Sequence, residues 1–145
     1  MGREVRRVPA NWQHPKDEFG SNIPLLGGSY SDAAKEFLDK ANAEGLESAT
    51  DYFGGAPTPD QYMPEWPESE RTNYMMYETT SEGTPISPAF ATPEELARWL
   101  ADTGASAFGY STASYEAWLR VANGAYAPSA VYTPEHGLQS GVEAL

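Results

Sequence analysis

The stretch from residue 74 to residue 100, YMMYETTSEGTPISPAFATPEELARWL, decides the fold. Its first residues, Tyr74 to Thr80, alternate as in a β-strand, and both faces of that strand are partly apolar, which is typical of a central strand. The segment 81–83 ends in glycine and predicts a turn. Pro85 and Pro88 each lack a backbone N–H, so the segment that carries them belongs at the edge of a sheet.

The stretch ends in a helix that has clear capping residues at its N-terminus. Thr92 is the predicted N-cap, Pro93 takes the first helical position, where its missing N–H costs nothing, and Glu95 completes a capping box. Gly104 is expected to end the helix in a left-handed conformation. The buried stripe of the helix is expected to contain Leu96, Trp99 and Leu100.

The part of the chain before this stretch predicts one strand and one helix. Residues 3–12 form a short strand around Val5 and Val8, which a proline then ends or confines to an edge. A helix is expected to begin at an N-cap serine, Ser31, and to stop at Gly45, with its apolar residues on one face.

The part that follows it adds a further helix and two short strands. Apolar residues at helical spacing predict a helix over residues 112–123. Strands are expected at residues 130–132 and 138–145, with a turn between them. Strands and helices in this mixture indicate an α+β fold, in which a small antiparallel sheet is packed by two to three helices.

Residues 46–73 are expected to form a long loop within a single domain that spans residues 1–145. Two adjacent glycines, four prolines and several acidic residues favour an extended conformation. A disordered linker would not usually carry so many aromatic residues. We therefore expect Tyr62 and Trp66 to pin this acidic loop to the body of the protein.

Acidic residues dominate the charge of the chain, and they do so unevenly. The formal net charge is −12, from 21 acidic and 9 basic residues. Residues 1–40 hold six of each, whereas residues 41–145 hold fifteen acidic residues against three arginines. A negative field of this kind repels nucleic acid and membrane surfaces and attracts basic surfaces. It also promotes solubility, which is the simpler interpretation.

Several classes of site and location are disfavoured by what the sequence lacks. It has no cysteine, so there is no disulfide framework and no thiolate metal site. No run approaches the ~18 apolar residues of a membrane span, and the N-terminal residues do not resemble a secretory signal. These features fit a reducing cytoplasm.

Catalytic motifs are also missing. His14 and His136 are the only histidines, and each lies in a predicted loop. They do not form a zinc pattern, and no Gly-x-Ser-x-Gly or P-loop motif occurs. The glycines at 27 and 28 precede a helix and could cradle an anion, although a plain helix entry explains them better. We expect no catalytic residue, no metal and no cofactor.

The central segment resembles a motif of a family of small phage and prophage proteins. It reads YETTSEGTPISPAFATPEEL over residues 77–96. In that family, an arginine-rich strand and a Trp-x-His-Pro element precede the motif, as residues 6–15 do here. The helix around Trp118 and residues 127–130 are similar as well. The resemblance implies a phage origin and supplies no catalytic residue.

Charge and resemblance together predict a non-enzymatic phage protein that inhibits a host factor in the host cytoplasm. Such proteins include anti-CRISPR and other anti-defence inhibitors, some of which mimic DNA. The expected partner is a basic, nucleic-acid-binding host protein, with no direct contact to nucleic acid or membrane. Two alternatives stay open, a virion or assembly accessory protein and a small hydrolase built on a histidine. The expected contact residues are Asp60, Glu65, Glu68, Glu70, Glu78 and Glu82.

Overall fold

The computed structural model describes residues 2–124 and 126–144 and confirms the α+β fold. Five helices accompany a four-stranded antiparallel sheet and a separate two-stranded sheet in this part of the chain. The elements are β1 (Gly2–Val8), α1 (Tyr30–Glu44), α2 (Leu46–Phe53), β2 (Asn73–Glu78), β3 (Thr84–Pro85), α3 (Pro93–Asp102), α4 (Tyr115–Ala122), β4 (Ala127–Pro128), β5 (Ala130–Thr133), β6 (Gly137–Ser140) and α5 (Gly141–Ala144).

The chain divides into two compact units, of which residues 2–23 and 66–144 form the larger. Its sheet has the strand order β3-β2-β1-β4, so β2 is central and β3 lies at the edge, both as predicted. In the antiparallel pair of β1 and β2, Arg3 lies opposite Glu78 and Val5 lies opposite Met76. Side chains of directly paired residues point to the same face of a sheet.

Helices α3 and α4 pack on the face of the sheet that carries Met76. The core contains Trp118, Leu96 and Leu100, all with no exposed surface. The predicted stripe of α3 is therefore confirmed for Leu96 and Leu100, whereas Trp99 is half-buried. Burial of large side chains such as these supplies most of the free energy that stabilises a small fold.

The predicted N-cap of α3 is confirmed at Thr92, which supplies one of the two bonds of the predicted capping box. The Thr92 hydroxyl accepts a hydrogen bond from the Glu95 backbone N–H at 3.1 Å, and Pro93 occupies the first turn. Gly104 has φ +68°, the left-handed conformation expected after the helix. The helix begins and ends where these residues predict.

Residues 24–65 form the smaller unit, which consists mainly of the helical hairpin α1–α2. Helix α1 begins two residues earlier than predicted, because Ser29 rather than Ser31 is its N-cap. The buried hydrophobic side chains of this unit are few: Leu25, Phe37, Ala49 and Met63.

Two segments differ from prediction. Residues 46–53, predicted as part of an extended loop, form α2 instead, because Leu46, Ala49 and Phe53 recur at helical spacing on one face. The final segment, predicted as a strand over residues 138–145, contains β6 only to residue 140, and a short helix follows. Leu145 lies outside the described residues.

Tyr62 and Trp66, the two predicted aromatic anchors, make contacts in different units. In the smaller unit, Tyr62 forms a backbone bridge with Leu26 and its ring contacts the Tyr30 ring. In the larger unit, the Trp66 ring contacts the Trp12 ring edge-on, with the ring centroids 4.8 Å apart. Among the described residues, none of the helices has the length and apolar character needed to cross a membrane.

Candidate functional site

The six predicted contact carboxylates are accessible and are divided between the two compact units. Asp60 lies in a 3₁₀ turn and Glu65 at the end of the smaller unit, whereas the other four belong to the larger unit. Five of the six are exposed and Glu78 is half-buried.

Glu65 is already engaged within the smaller unit. Its carboxylate accepts hydrogen bonds from the hydroxyls of Ser29, at 2.5 Å, and Ser31, at 2.7 Å. These bonds favour the ionised form and lower the pKa of Glu65 below its ordinary value. Ser29 is the N-cap of α1, so the carboxylate also lies where the helix dipole favours negative charge. Glu65 therefore has a structural role whether or not a partner contacts it.

The four carboxylates of the larger unit lie in two pairs at opposite ends of β2. Glu68 and Glu70 belong to a 3₁₀ turn that precedes the strand. Glu78 is its last residue, and Glu82 follows in the turn with φ +70°. A six-residue strand spans about 20 Å, so these pairs are separated by roughly that distance. An extended array of charge fits a polyelectrolyte-binding surface better than a compact catalytic site.

Glu78 also has an internal role opposite Arg3. Burial lowers the pKa of the Arg3 guanidinium, and the charge of the Glu78 carboxylate partly offsets that shift. The guanidinium is held by Ser106, whose backbone carbonyl accepts from Arg3 Nε at 3.0 Å.

The acidic side chains are displayed at the surface across the whole protein. Nineteen of the 21 are exposed, and the remaining two, Glu4 and Glu78, are half-buried. The predicted contact surface combines the proline-rich segment with Glu78 and Glu82 and does not include the acidic residues of α1 and α2.

Basic side chains are buried or ion-paired far more often than acidic side chains are. Arg3 and Arg6 are buried, at 4% and 8% exposure. Arg98 pairs with Asp102 along α3. Burial withdraws Arg3 and Arg6 from the surface, whereas each ion pair neutralises one basic and one acidic side chain.

The smaller unit has the higher density of negative charge. It holds eight acidic residues and two lysines in 42 residues, a formal net charge of −6, which equals that of the much longer larger unit. Lys35 pairs with Asp39 at 2.8 Å, and Lys40 pairs with Glu44 at 2.6 Å. Each pair joins positions i and i+4 of one helix. Both pairs can be recognised from the sequence, and counting them would have identified this unit as a candidate contact surface.

His14 belongs to a buried hydrogen-bond chain. Its Nε2 lies 2.6 Å from the Ile23 carbonyl oxygen, which can only accept, so this nitrogen carries the proton. Its Nδ1 then accepts from the Tyr77 hydroxyl at 2.9 Å, and the same oxygen accepts from Trp12 Nε1 at 3.1 Å. Both ring nitrogens are occupied. Burial lowers the pKa of His14, which keeps the ring neutral.

His136 lies in the turn between β5 and β6 and is exposed. Within the described residues, no group of three or more potential metal ligands comes together.

No family model, curated protein or solved structure matches this chain. The resemblance to phage and prophage proteins therefore stays a prediction, and we infer the function from the geometry and charge given above.

Proposed function

We propose that this chain is a phage-encoded, non-enzymatic binding protein that inhibits a host factor by occupying a basic, nucleic-acid-binding surface. Anti-CRISPR and other anti-defence activities belong to this class, and the site of action would be the host cytoplasm. The observation that supports the proposal most is the distribution of charge. Acidic side chains are exposed almost without exception, while five of the nine basic side chains are buried or ion-paired.

The physical basis is competition for a polyanion site. A channel that binds nucleic acid gains affinity because its lysines and arginines release counterions from the phosphate backbone. Carboxylates held on a folded surface can occupy the same channel, and the electrostatic attraction also accelerates association. The separation of the two carboxylate pairs by the length of β2 suits an extended basic groove.

A capture experiment tests the proposal. The protein is immobilised and exposed to bacterial lysate, the bound proteins are identified, and the eluted partner is tested for DNA or RNA binding with and without the protein in solution. We expect capture of a basic nucleic-acid-binding protein whose binding to nucleic acid is then inhibited. Capture of capsid or tail components alone would contradict the proposal and favour an assembly role.

Two variants with equal net charge make the test specific. The first replaces the six predicted contact residues by their amides: D60N, E65Q, E68Q, E70Q, E78Q and E82Q. The matched control replaces six other exposed acidic residues whose side chains make no ion pair or hydrogen bond within the described part of the chain: Glu18, Glu47, Asp51, Glu94, Glu116 and Glu135. Loss of capture in the first variant only would assign the contact to the predicted residues. Loss in the control only would move the contact to the acidic residues that the control replaces.

A further inference from the structure

The smaller unit contains a narrow cleft that is lined in part by aromatic side chains and by one carboxylate. The cleft has a volume of about 270 Å³. Phe37, Phe53 and Tyr62 supply its aromatic lining, and Glu36 lies at its edge. Pockets for small molecules usually start at about 300 Å³, so this cleft suits a single long side chain.

Two of the three aromatic rings in the cleft contact each other, and part of the aromatic lining is accessible. The ring centroids of Phe37 and Phe53 are 6.0 Å apart with an interplanar angle of 49°. Phe37 is buried, whereas Phe53 is 37% exposed and Tyr62 is half-buried. An aromatic face that is open to solvent attracts a cation through its quadrupole and packs against the methylenes of a long side chain.

Two sources of negative potential converge on the same cleft. Glu36 is exposed and makes no ion pair among the described residues, although two lysines lie on the same helix, because Lys35 and Lys40 pair with other carboxylates. The cleft is also lined by Phe53 and Gly54, which form the C-terminus of α2. The carbonyl groups at a helix C-terminus lack partners within the helix and carry the negative end of its dipole. Helix α2 has no basic residue in its last turn to complement them.

From this geometry we propose that the cleft binds an arginine side chain of the partner protein. The guanidinium stacks on the aromatic lining, donates to the Glu36 carboxylate and faces the carbonyl end of α2. Arginine fits better than lysine because its planar group stacks on rings and presents several donors in a fixed arrangement. The inference rests on the proposed function for the origin of that arginine, and it gives the acidic protein a specific anchor point.

The test uses short capped peptides as probes and the aromatic side chains as reporters. The peptides Gly-Arg-Gly, Gly-Lys-Gly and Gly-citrulline-Gly, blocked at both ends, are titrated into protein with labelled phenylalanine, and shifts of the Phe37 and Phe53 rings are followed by NMR. Citrulline has nearly the shape of arginine without its charge. We expect binding in the order arginine, lysine, citrulline.

Variants of the carboxylate and of the ring complete the test. E36Q should weaken arginine-peptide binding about tenfold, since a charge-assisted hydrogen bond is lost. E47Q, a control in the same unit that lies outside the cleft, should change it by less than about twofold. F53L should weaken binding while it preserves apolar volume. Equal shifts with the citrulline peptide, equal effects of E36Q and E47Q, or no shifts at all would overturn the arginine site.

The outcome can be separated from that of the proposed function. Failure of the peptides to bind, together with capture of a basic partner, would reject the cleft and leave the function standing. Peptide binding without a nucleic-acid-binding partner would reject the function and leave the arginine site standing.

Discussion

The substitution Tyr77→Phe tests the buried hydrogen-bond chain and removes a single oxygen atom. The Tyr77 hydroxyl accepts from Trp12 and donates to His14, and its side chain has no exposed surface. The phenylalanine ring can occupy the same volume, so packing should be nearly unchanged. The substitution removes the hydroxyl group, so Trp12 loses its hydrogen-bond acceptor and His14 loses its hydrogen-bond donor.

The magnitude follows from these two bonds. A net contribution of about 1 kcal/mol per bond gives ~2 kcal/mol, and the buried His14 nitrogen left without a donor raises the cost to about 2–4 kcal/mol. The Trp12 ring is half-buried, so water can restore part of its bond and values near the lower end are expected. With a urea slope of about 2 kcal/mol/M, the unfolding midpoint should fall by roughly 1–2 M.

Urea unfolding monitored by tryptophan fluorescence measures this difference. Tyr132→Phe is the matched control, because the Tyr132 side chain is 72% exposed and its hydroxyl makes no hydrogen bond within the described residues. The control should change the free energy of unfolding by less than about 0.5 kcal/mol. If Tyr77→Phe were as stable as Tyr132→Phe, the proposed chain of donors and acceptors would be wrong.

The remaining predictions concern pH and a close backbone contact. The pKa of His14 is lower in the folded protein than in the unfolded chain, because burial and the Arg6 charge disfavour the imidazolium. The unfolded chain therefore binds more protons below about pH 6.5, and stability should fall with decreasing pH until the folded-state pKa of His14 is passed. Separately, Gly141→Ala should destabilise the fold by about 1–3 kcal/mol or more, since the new Cβ would overlap the Pro128 carbonyl oxygen.

Both predictions have internal controls. The pH-dependent loss should be smaller in a His14→Gln variant and unchanged in His136→Gln, and urea midpoints between pH 7 and pH 5 measure it; an identical slope in His14→Gln would contradict the assignment. Gly28→Ala is the control for the contact at Gly141, because nothing lies within 4 Å of the position that a Cβ atom would take at residue 28. Equal thermal midpoints for the two alanine variants would show that the close approach does not constrain the fold.

Local signals predicted the central strand and the capped helix of the larger unit, but not its short strand at residues 127–128 or its final helix. The cap formed by Thr92, Pro93 and Glu95 acts over a few residues, so its chemistry can be read directly from the sequence. The prolines at 85 and 88 predicted the sheet edge for the same reason. Ser29 and Ser31 show where local reasoning fails, since both serines suit a cap and both are held by the distant Glu65 carboxylate.

Features that depend on contacts far apart in sequence could not be predicted in this way. Trp12 and His14 meet Tyr77 across more than 60 residues, and nothing in their local pattern indicates it. The helix over residues 46–53 was missed because glycines and prolines follow it closely, although its own apolar spacing was visible. The aromatic cleft beside Glu36 depends on that helix and was missed with it.

The salt dependence of partner binding tests the central claim most directly. The dissociation constant of the captured partner is measured from low to high potassium chloride for the protein, for the six-residue amide variant of the predicted contact residues and for its charge-matched control. We expect that the affinity of the protein falls steeply with salt, linearly in logarithmic terms, and that one of the two variants loses much of this slope while the other retains it. An affinity that stays constant across the salt range, or that survives in both variants unchanged, would contradict binding through an acidic surface.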